Sequence, residues 1–539
     1  MNSLYSFSVK RSSYFSITLL ISLIIIIPVI TVFLSVFDES SEYFSIIKNS
    51  LLFIYCLNSL ILLCGVAILT FIFGVFSAYL VSFYTFPGSN FFKWSLILSF
   101  AIPPYIYGYS LTAFVENFGT VSSIMFYFFN ENNFDRYIPK LNGMIGSIIS
   151  ISFSVFGYVY ILTRSSFIYQ SQNLIEVGQS LGFSKLKIFL YIVLPSARPA
   201  IIAGMSLVAM ETLSDFGTVS FFGVSTFTTA IYESWVDFDD LAGANKLASI
   251  LLIFIFFLFL TEQISRKNAR YNDNSEKFVE KNFKKLKGSK AFLAFTFCSI
   301  LFTLSFIFPL GQMLYWSIKF PEYYESLELF KLNVNTFILI FFSSVLLIVF
   351  AFFVNYSLRS TQSKFLSILS NLTISGYAIP GIILSIALIS FFSSISQLIN
   401  LNLKSVFLGS IYGLVFAYFI RFFSVAFSGI KTSYLKINNA IDESSYLLGY
   451  SKFQTLSQIH LPYLKNSVFL ISILIGIEIL KELPITLILR PFNFETFSTK
   501  AYAYASQDLL EAAAIPSLFL ILWASLLIYI AHKFFFSEK

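Results

Sequence analysis

The sequence predicts an all-α, polytopic membrane protein with about 12 transmembrane helices arranged as two parallel six-helix repeats. Three observations carry that reading. Of 539 residues, 57% are hydrophobic and only 12% charged, with mean hydropathy +0.79, whereas soluble domains carry about 25% charged residues. The apolar residues fall in blocks of roughly 20 to 30, the length an α-helix needs to cross about 30 Å of hydrocarbon. Finally, a polar stretch between apolar blocks, Glu176 to Pro195, returns as a near-copy at Glu443 to Pro462. A β-barrel would instead show short alternating strands.

Taken in order, the spans lie near 13–37, 51–84, 91–115, 143–168, 195–222 and 244–265 in the first half. In the second they lie near 291–317, 334–358, 365–395, 405–430, 463–489 and 511–535. The first block follows Lys10-Arg11 and lacks a small-residue cleavage site, so it reads as a span rather than a cleaved signal. The 51–84 block exceeds an untilted crossing and is expected to tilt. Pro103, Pro104 and Pro380 sit in span interiors and should kink them. Cys56, Cys64 and Cys298 fall inside apolar blocks and read as small buried hydrophobes. Phe254 to Phe257 reads as lipid-facing bulk. His460 and His532 lie far apart and form no metal-type cluster.

Lys and Arg favour cytoplasmic loops. That rule places both termini and both copies of the repeated stretch in the cytoplasm. Lys481 is then the basic residue expected within a span. The outer segments are more acidic, with Glu233, Asp237, Asp239 and Asp240 clustered in one of them. They form either a rim for a docking protein or a solvated loop. The main composition break is the basic stretch 264–290, read as a cytoplasmic linker between a first transmembrane domain, 1–263, and a second, 291–539. Within it Phe278, Val279, Phe283 and Leu286 could lay a short apolar stripe on lipid headgroups, the alternative being disorder.

The repeat extends beyond the polar stretch. The shift that brings Glu176 onto Glu443 also brings Met210 to Asp215 onto Ile477 to Glu482, and Ala101-Ile-Pro103 has its counterpart in Ala378-Ile-Pro380. An even number of spans per half puts the copies in the membrane in the same orientation, related by an axis along the membrane normal. Within the polar stretch, Asn173 and Glu176 have capping-box spacing for a first short helix. Gly182 suits the left-handed residue that ends it, and Ser184 suits the N-cap of a second. Leu194 and Pro195 are expected to stop that second helix, with Pro195 in the first turn of the next span. Glu443, Gly449, Ser451, Leu461 and Pro462 repeat these parts. A rigid elbow of this kind suits mechanical coupling, because a partner gripping it can tilt the attached span.

With Glu, Gly, Ile and Leu-Pro in the same register twice, the two stretches resemble the EAA loop of permease subunits of ATP-binding-cassette (ABC) importers. That pattern is Glu-Ala-Ala, then Gly, then Ile-x-Leu-Pro, and in the family it is the coupling helix that docks into a groove on the ATPase subunit. The two alanines are replaced here by Val177-Gly178 and Ser444-Ser445. The resemblance implies the type I importer transmembrane fold. It also makes Glu176, Gly182, Ser184, Leu194, Pro195, Glu443, Gly449, Ser451, Leu461 and Pro462 the ATPase-coupling positions. It is closest to the fused, two-domain permeases of iron(III) importers, through Glu211 to Thr218, Phe222 to Thr229, Lys481 to Thr486 and Leu489 to Phe494. Expected partners are two copies of an ABC ATPase, an extracytoplasmic substrate-binding protein and the lipid bilayer, with no nucleic acid.

Charges inside the membrane are costly, about 2.5–3.5 kcal/mol each at the bilayer centre on insertion scales. Glu211 and Asp215 lie one helical turn apart on one face, and Glu478, Lys481 and Glu482 do likewise in the matching span. They are expected to line the translocation pathway between the halves, with Lys481 pairing a carboxylate; the alternative is a polar staple between helices. No phosphate-binding G-x-x-x-x-G-K-[ST] loop occurs. This chain is therefore expected to be non-catalytic, with no cofactor and no metal of its own, and with ATP and magnesium on the partner ATPases. Ferric iron is the expected cargo, with thiamine, polyamine or phosphonate as alternatives in the same class. An ion-coupled secondary carrier with six-plus-six spans is the competing class. It gives no reason for twin elbows.

Overall fold

The computed structural model describes residues 13–37, 41–115, 119–129, 141, 143–169, 172–268, 284–400 and 406–537. Eleven helices among these are long and apolar enough to cross a membrane. In the first half they are α1 (Ser13–Leu34), α2 (Leu52–Phe83), α4 (Gly143–Tyr169), α6 (Lys185–Ser214) and α8 (Leu241–Asn268). In the second they are α9 (Gly288–Lys319), α10 (Leu329–Thr361), α11 (Gly381–Ile399), α12 (Ile411–Tyr434), α14 (Lys452–Lys481) and α16 (Leu510–Ser537). The architecture is all-α and polytopic. Among the described residues the one strand pairing is a two-residue parallel contact of Tyr84–Thr85 with Lys284–Lys285.

The span expected near 91–115 is not one helix. A short helix Ser89–Ser95 runs into a 3-10 turn, Leu96–Ala101, and α3 (Pro104–Val115) starts afresh. The second half repeats this: helix Lys364–Leu372, 3-10 turn Thr373–Ala378, then α11. The cause is local. Ile102 and Ile379 each precede a proline and take extended backbone, ψ 108° and 121°, because the proline ring disfavours helical geometry in the residue before it. Pro103 and Pro380 thus break their segments rather than kink them.

The halves interlock. α1 packs on α10 and α11 of the second half, burying Ile21, Ile25 and Val32. Reciprocally, α9 lies against α2 and α3 of the first half, through Ala294, Cys298 and Phe306. Small residues let backbones approach, as is usual for helices packing in lipid. A Cβ on Gly74 of α2 would lie 2.6 Å from Val159 of α4, and one on Gly204 of α6 would lie 2.9 Å from the Val159 Cα. Cys298 is buried as expected, whereas Cys64 is on an exposed face of α2. Of the expected linker stripe, Phe278, Val279 and Phe283 fall outside the described residues. Leu286 packs on the first half's core and donates its N–H to the Thr85 carbonyl (2.9 Å).

Candidate functional site

The repeated stretches form two helical hairpins of one design. In the first, α5 (Gln172–Ser180) ends at Gly182, with φ +73°. The Phe183 N–H donates to the Gly178 carbonyl and the Gly182 N–H to the Gln179 carbonyl, both at 3.0 Å. This is the Schellman closure, for which a left-handed residue is required. In the second, α13 (Asn439–Leu447) ends at Gly449, φ +84°, with the same pair of bonds from Tyr450 to Ser445 and from Gly449 to Tyr446. Ser184 then caps the second arm by accepting from the Lys187 N–H, and Ser451 by accepting from the Gln454 N–H, each at 3.3 Å. Gln454 also accepts from the Ser451 N–H (2.8 Å), completing a capping box. Asn173 is not the cap of the first arm, because α5 already begins at Gln172, and its side chain lies outside the described residues. The matching cap in the second copy is Asn438, which accepts from the Ala440 N–H.

The residues standing where the family has its second alanine are small for a visible reason. Gly178 is buried under the second arm, where a Cβ would lie 2.6 Å from Ile192. Ser445, 1% exposed, shares a 2.9 Å hydrogen bond with Thr455.

Leu194-Pro195 and Leu461-Pro462 do not stop their helices. Residues 185–214 and 452–481 are each one continuous 30-residue helix, with a π-helical stretch just ahead of the proline, Phe189–Val193 and Thr455–His460. Proline offers no N–H to its own i−4 carbonyl. The wider turn absorbs that loss, so the Leu194 N–H bonds back to the Phe189 carbonyl and the Leu461 N–H to that of Leu456. Each hairpin's second arm is therefore the first part of a membrane helix about 45 Å long at 1.5 Å per residue.

Both helices end at the same place. α6 ends at Ser214 and α14 at Lys481, and the two ends wall a cavity of about 90 Å³ lined by Glu211, Asp215, Glu478, Lys481 and Glu482. All five charged positions expected on the pathway thus come together, with Phe100, Tyr105, Ser154 and Tyr158 from the first half and Arg421 from α12 of the second. They do different jobs. Asp215 caps α7 (Gly217–Phe221), accepting from the Thr218 and Val219 N–H groups (3.0 and 3.1 Å) and the Thr218 hydroxyl (2.8 Å). Its counterpart Glu482 accepts from the Ile485 N–H (3.2 Å) at the start of α15 (Pro484–Leu489) and lies 3.4 Å from Arg421 Nε. These two are staples first. Glu478 pairs Lys481 at 3.4 Å, as expected of that lysine. Glu211 accepts from the Tyr377 hydroxyl at 2.6 Å, across the interface between halves.

Lys481, itself only half-buried, is not the one basic residue within a span. Arg421, 6% exposed in the middle of α12, is a second, and a lone arginine in an apolar block is by itself a sign of function. Tyr377 gave no such sign. Among the described residues no three His, Cys, Asp or Glu side chains converge to hold a metal ion.

Beneath the second hairpin lies a charged cluster at positions where the first copy of the repeat has Ile175 and Val193. Asp442 of α13 receives Arg359 Nε on one oxygen and contacts His460 Nε2 with the other, both at 2.6 Å. His460 is fully buried between the rings of Tyr356 and Tyr434. In the acidic segment 233–240, Asp240 belongs to the fold, receiving the Ser41 hydroxyl and the Gly243 N–H.

Residues 70–270 match the family described as binding-protein-dependent transport system inner membrane component. Over 491 residues the chain is 25% identical to the Fe(3+)-transport system permease protein FbpB 2 of Haemophilus influenzae, covering 89% of each protein. Over 478 residues it is 23% identical to the ferric transport system permease protein FbpB of Actinobacillus pleuropneumoniae, covering 84% of this chain and 67% of that one. A shorter match, 26% over 200 residues, is to a probable sulfate transport system permease of Chlorella vulgaris, covering 36% of this chain and 72% of the relative.

The interlocked helices and the twin hairpins define a multi-pass α-helical membrane protein, and its first half is similar to inner membrane components of binding-protein-dependent transport systems. The two relatives that align with most of this chain are described as ferric transport permeases.

Proposed function

We propose that this chain is the translocation subunit of an importer for ferric iron. An external binding protein delivers the cargo to the interface between the halves, and two ATPase subunits on the cytoplasmic side grip one hairpin each. Both termini face the cytoplasm. ATP and its magnesium belong to the ATPases, and this chain performs no covalent step. When the ATPases close, the hairpins are drawn together and α6 and α14 move with them as levers. Their far ends carry Glu211 and Glu478, so the wall of the cavity moves directly with the grip.

The observation that carries this reading is the unbroken helix from each hairpin to the shared charged cavity. Two others support it. The hairpin tips present apolar side chains to solvent, Leu181 at 67% and Leu447 at 89% exposed with Leu186, Leu448 and Phe453 nearby, as a docking surface should. The cavity holds four carboxylates against two basic groups, and its carboxylates and phenols are hard oxygen donors of the kind hard cations prefer. That sign disfavours an anion such as sulfate or a phosphonate. Thiamine or a polyamine remains the alternative, separated from iron by the ligand that the partner binding protein carries.

The test is uptake of radioactive ferric iron into proteoliposomes that hold the complete transporter, with binding protein outside and ATP inside. Uptake that requires ATP and the binding protein supports the reading. Uptake driven by a proton gradient without ATP overturns it in favour of a secondary carrier.

A further inference from the structure

The cavity is built on a pseudo-twofold plan whose two sides carry different charges. The repeat places Glu211 opposite Glu478 and Asp215 opposite Glu482, but Ser154 opposite Arg421 and Ser214 opposite Lys481. Where the second half has a basic residue, the first half has a hydroxyl. The second half's two carboxylates are therefore balanced by its own two cations, Lys481 at 3.4 Å from Glu478 and Arg421 at 3.4 Å from Glu482. A glycine makes room for the latter pair. A Cβ on Gly381 would lie 2.5 Å from Arg421 Nη1 and 2.6 Å from Glu482 Oε1.

The first half has no such balance. Both oxygens of Asp215 are taken up by the start of α7. Glu211 is held by a neutral phenol, Tyr377, and no cation lies within ion-pair distance of it among the described residues. Tyr158, whose hydroxyl is 3.4 Å from that of Tyr377, extends the row of oxygens. Three residues that line this space also carry buried polar groups without a protein partner. The Tyr105 hydroxyl, the Ser154 hydroxyl and Arg421 Nη1 line the cavity, are at least nine-tenths buried and make no hydrogen bond. Buried polar groups are normally satisfied, so the cavity has unmet hydrogen-bonding capacity for a polar occupant.

We propose that the cavity is a one-sided cation site, in which Glu211, flanked by the Tyr377 and Tyr158 hydroxyls, takes the charge of the cargo while Lys481 and Arg421 keep the second half neutral. This deepens the importer reading and rests on it. A one-sided site has a mechanical use. As the halves part, the cargo stays with one wall and is not torn between two equal carboxylates, and the neutral wall leaves it free to go.

The experiment compares ferric uptake by the complete transporter carrying Glu211→Gln, Glu478→Gln, Lys481→Ser, and Lys481→Ser combined with Glu211→Gln. Membrane abundance and ATP hydrolysis are measured alongside, and Glu211→Asp serves as the conservative variant in case Glu211→Gln fails to assemble. Glu211→Gln is expected to lower uptake by roughly ten-fold or more, the weight of a charge-assisted contact, while Glu478→Gln loses only a small part of that. Lys481→Ser copies the first half's residue and frees Glu478, so it should restore part of the uptake lost in Glu211→Gln. Equal losses from the two glutamines, or no restoration by Lys481→Ser, overturn the one-sided site and leave the pathway standing. If neither glutamine changes uptake, the pathway itself falls with it.

Discussion

The Tyr377 hydroxyl donates to Glu211 at 2.6 Å, so the carboxylate on the first half's lever is held by a phenol from the second half. The residue that the repeat places at the corresponding site in the first half is Phe100. It lies under Lys481, 5.9 Å from its ammonium to the ring centre. Each lever thus ends against the broken segment of the opposite half, and any motion of a hairpin changes a contact between halves.

Tyr377→Phe removes the phenol's hydrogen bond to Glu211 while keeping the ring. A hydrogen bond to a charged group is worth about 1.5–3 kcal/mol, so the contact between halves should weaken by that order. The expected outcome is a transporter of normal abundance with ferric uptake reduced several-fold and ATP hydrolysis less well coupled to it, measured as cargo moved per ATP.

Gly182→Val and Gly449→Val meet no steric neighbour, since nothing lies within 4 Å of either Cβ position, but they force a branched residue into φ +73° and +84°. A left-handed residue with a side chain costs about 1–2 kcal/mol. That is enough to open a short surface hairpin and too little to unfold the bundle. Co-purification of the ATPases with the membrane chain should fall in both variants, while the melting temperature of the isolated chain changes little.

Asp442→Ala leaves Arg359 and His460 without their shared partner under the second hairpin. Breaking such a pair by removing one member costs about 3 kcal/mol or more, and the first hairpin carries the uncharged Ile175 and Val193 at the positions of Asp442 and His460. Limited proteolysis should then cut faster within residues 435–460 than in the wild type, with cleavage of the 172–190 region unchanged. Equal acceleration at both hairpins would contradict the asymmetry.

Gly381→Ala places a methyl group against Arg421 and Glu482. Overpacking of a tight site costs typically about 1–3 kcal/mol, and here it also pushes apart a buried ion pair. A lower melting temperature is expected, with a defect that Arg421→Ser partly relieves by clearing the space.

The hairpins were legible in the sequence because their parts obey local rules. A left-handed turn wants Gly182 and Gly449, and an N-cap wants Ser184 and Ser451. The continuity of hairpin and span was not, because Pro195 and Pro462 read locally as helix breaks. Only the π-helical stretches ahead of them show how the missing N–H is absorbed. Hydropathy located the spans but gave no neighbours, so the crossing of α1 and α9 onto opposite halves was out of reach. Arg421 could have been found, since an arginine flanked by Ile420 and Phe422 within an apolar block is a visible anomaly. Tyr377 could not, because its importance lies in a contact between halves and no pattern along the chain records it.

The central claim is that each hairpin and its charged span move as one body when ATP is bound. Spin labels at Leu181→Cys and Leu447→Cys, on the exposed tips, would measure it directly in the complete transporter after replacement of Cys56, Cys64 and Cys298. Double electron–electron resonance should show the distance between tips shorten on ATP binding, together with a change between labels placed at the cavity ends of α6 and α14. A distance between tips that ATP leaves unchanged, or tips that close while the cavity ends stay still, would contradict it.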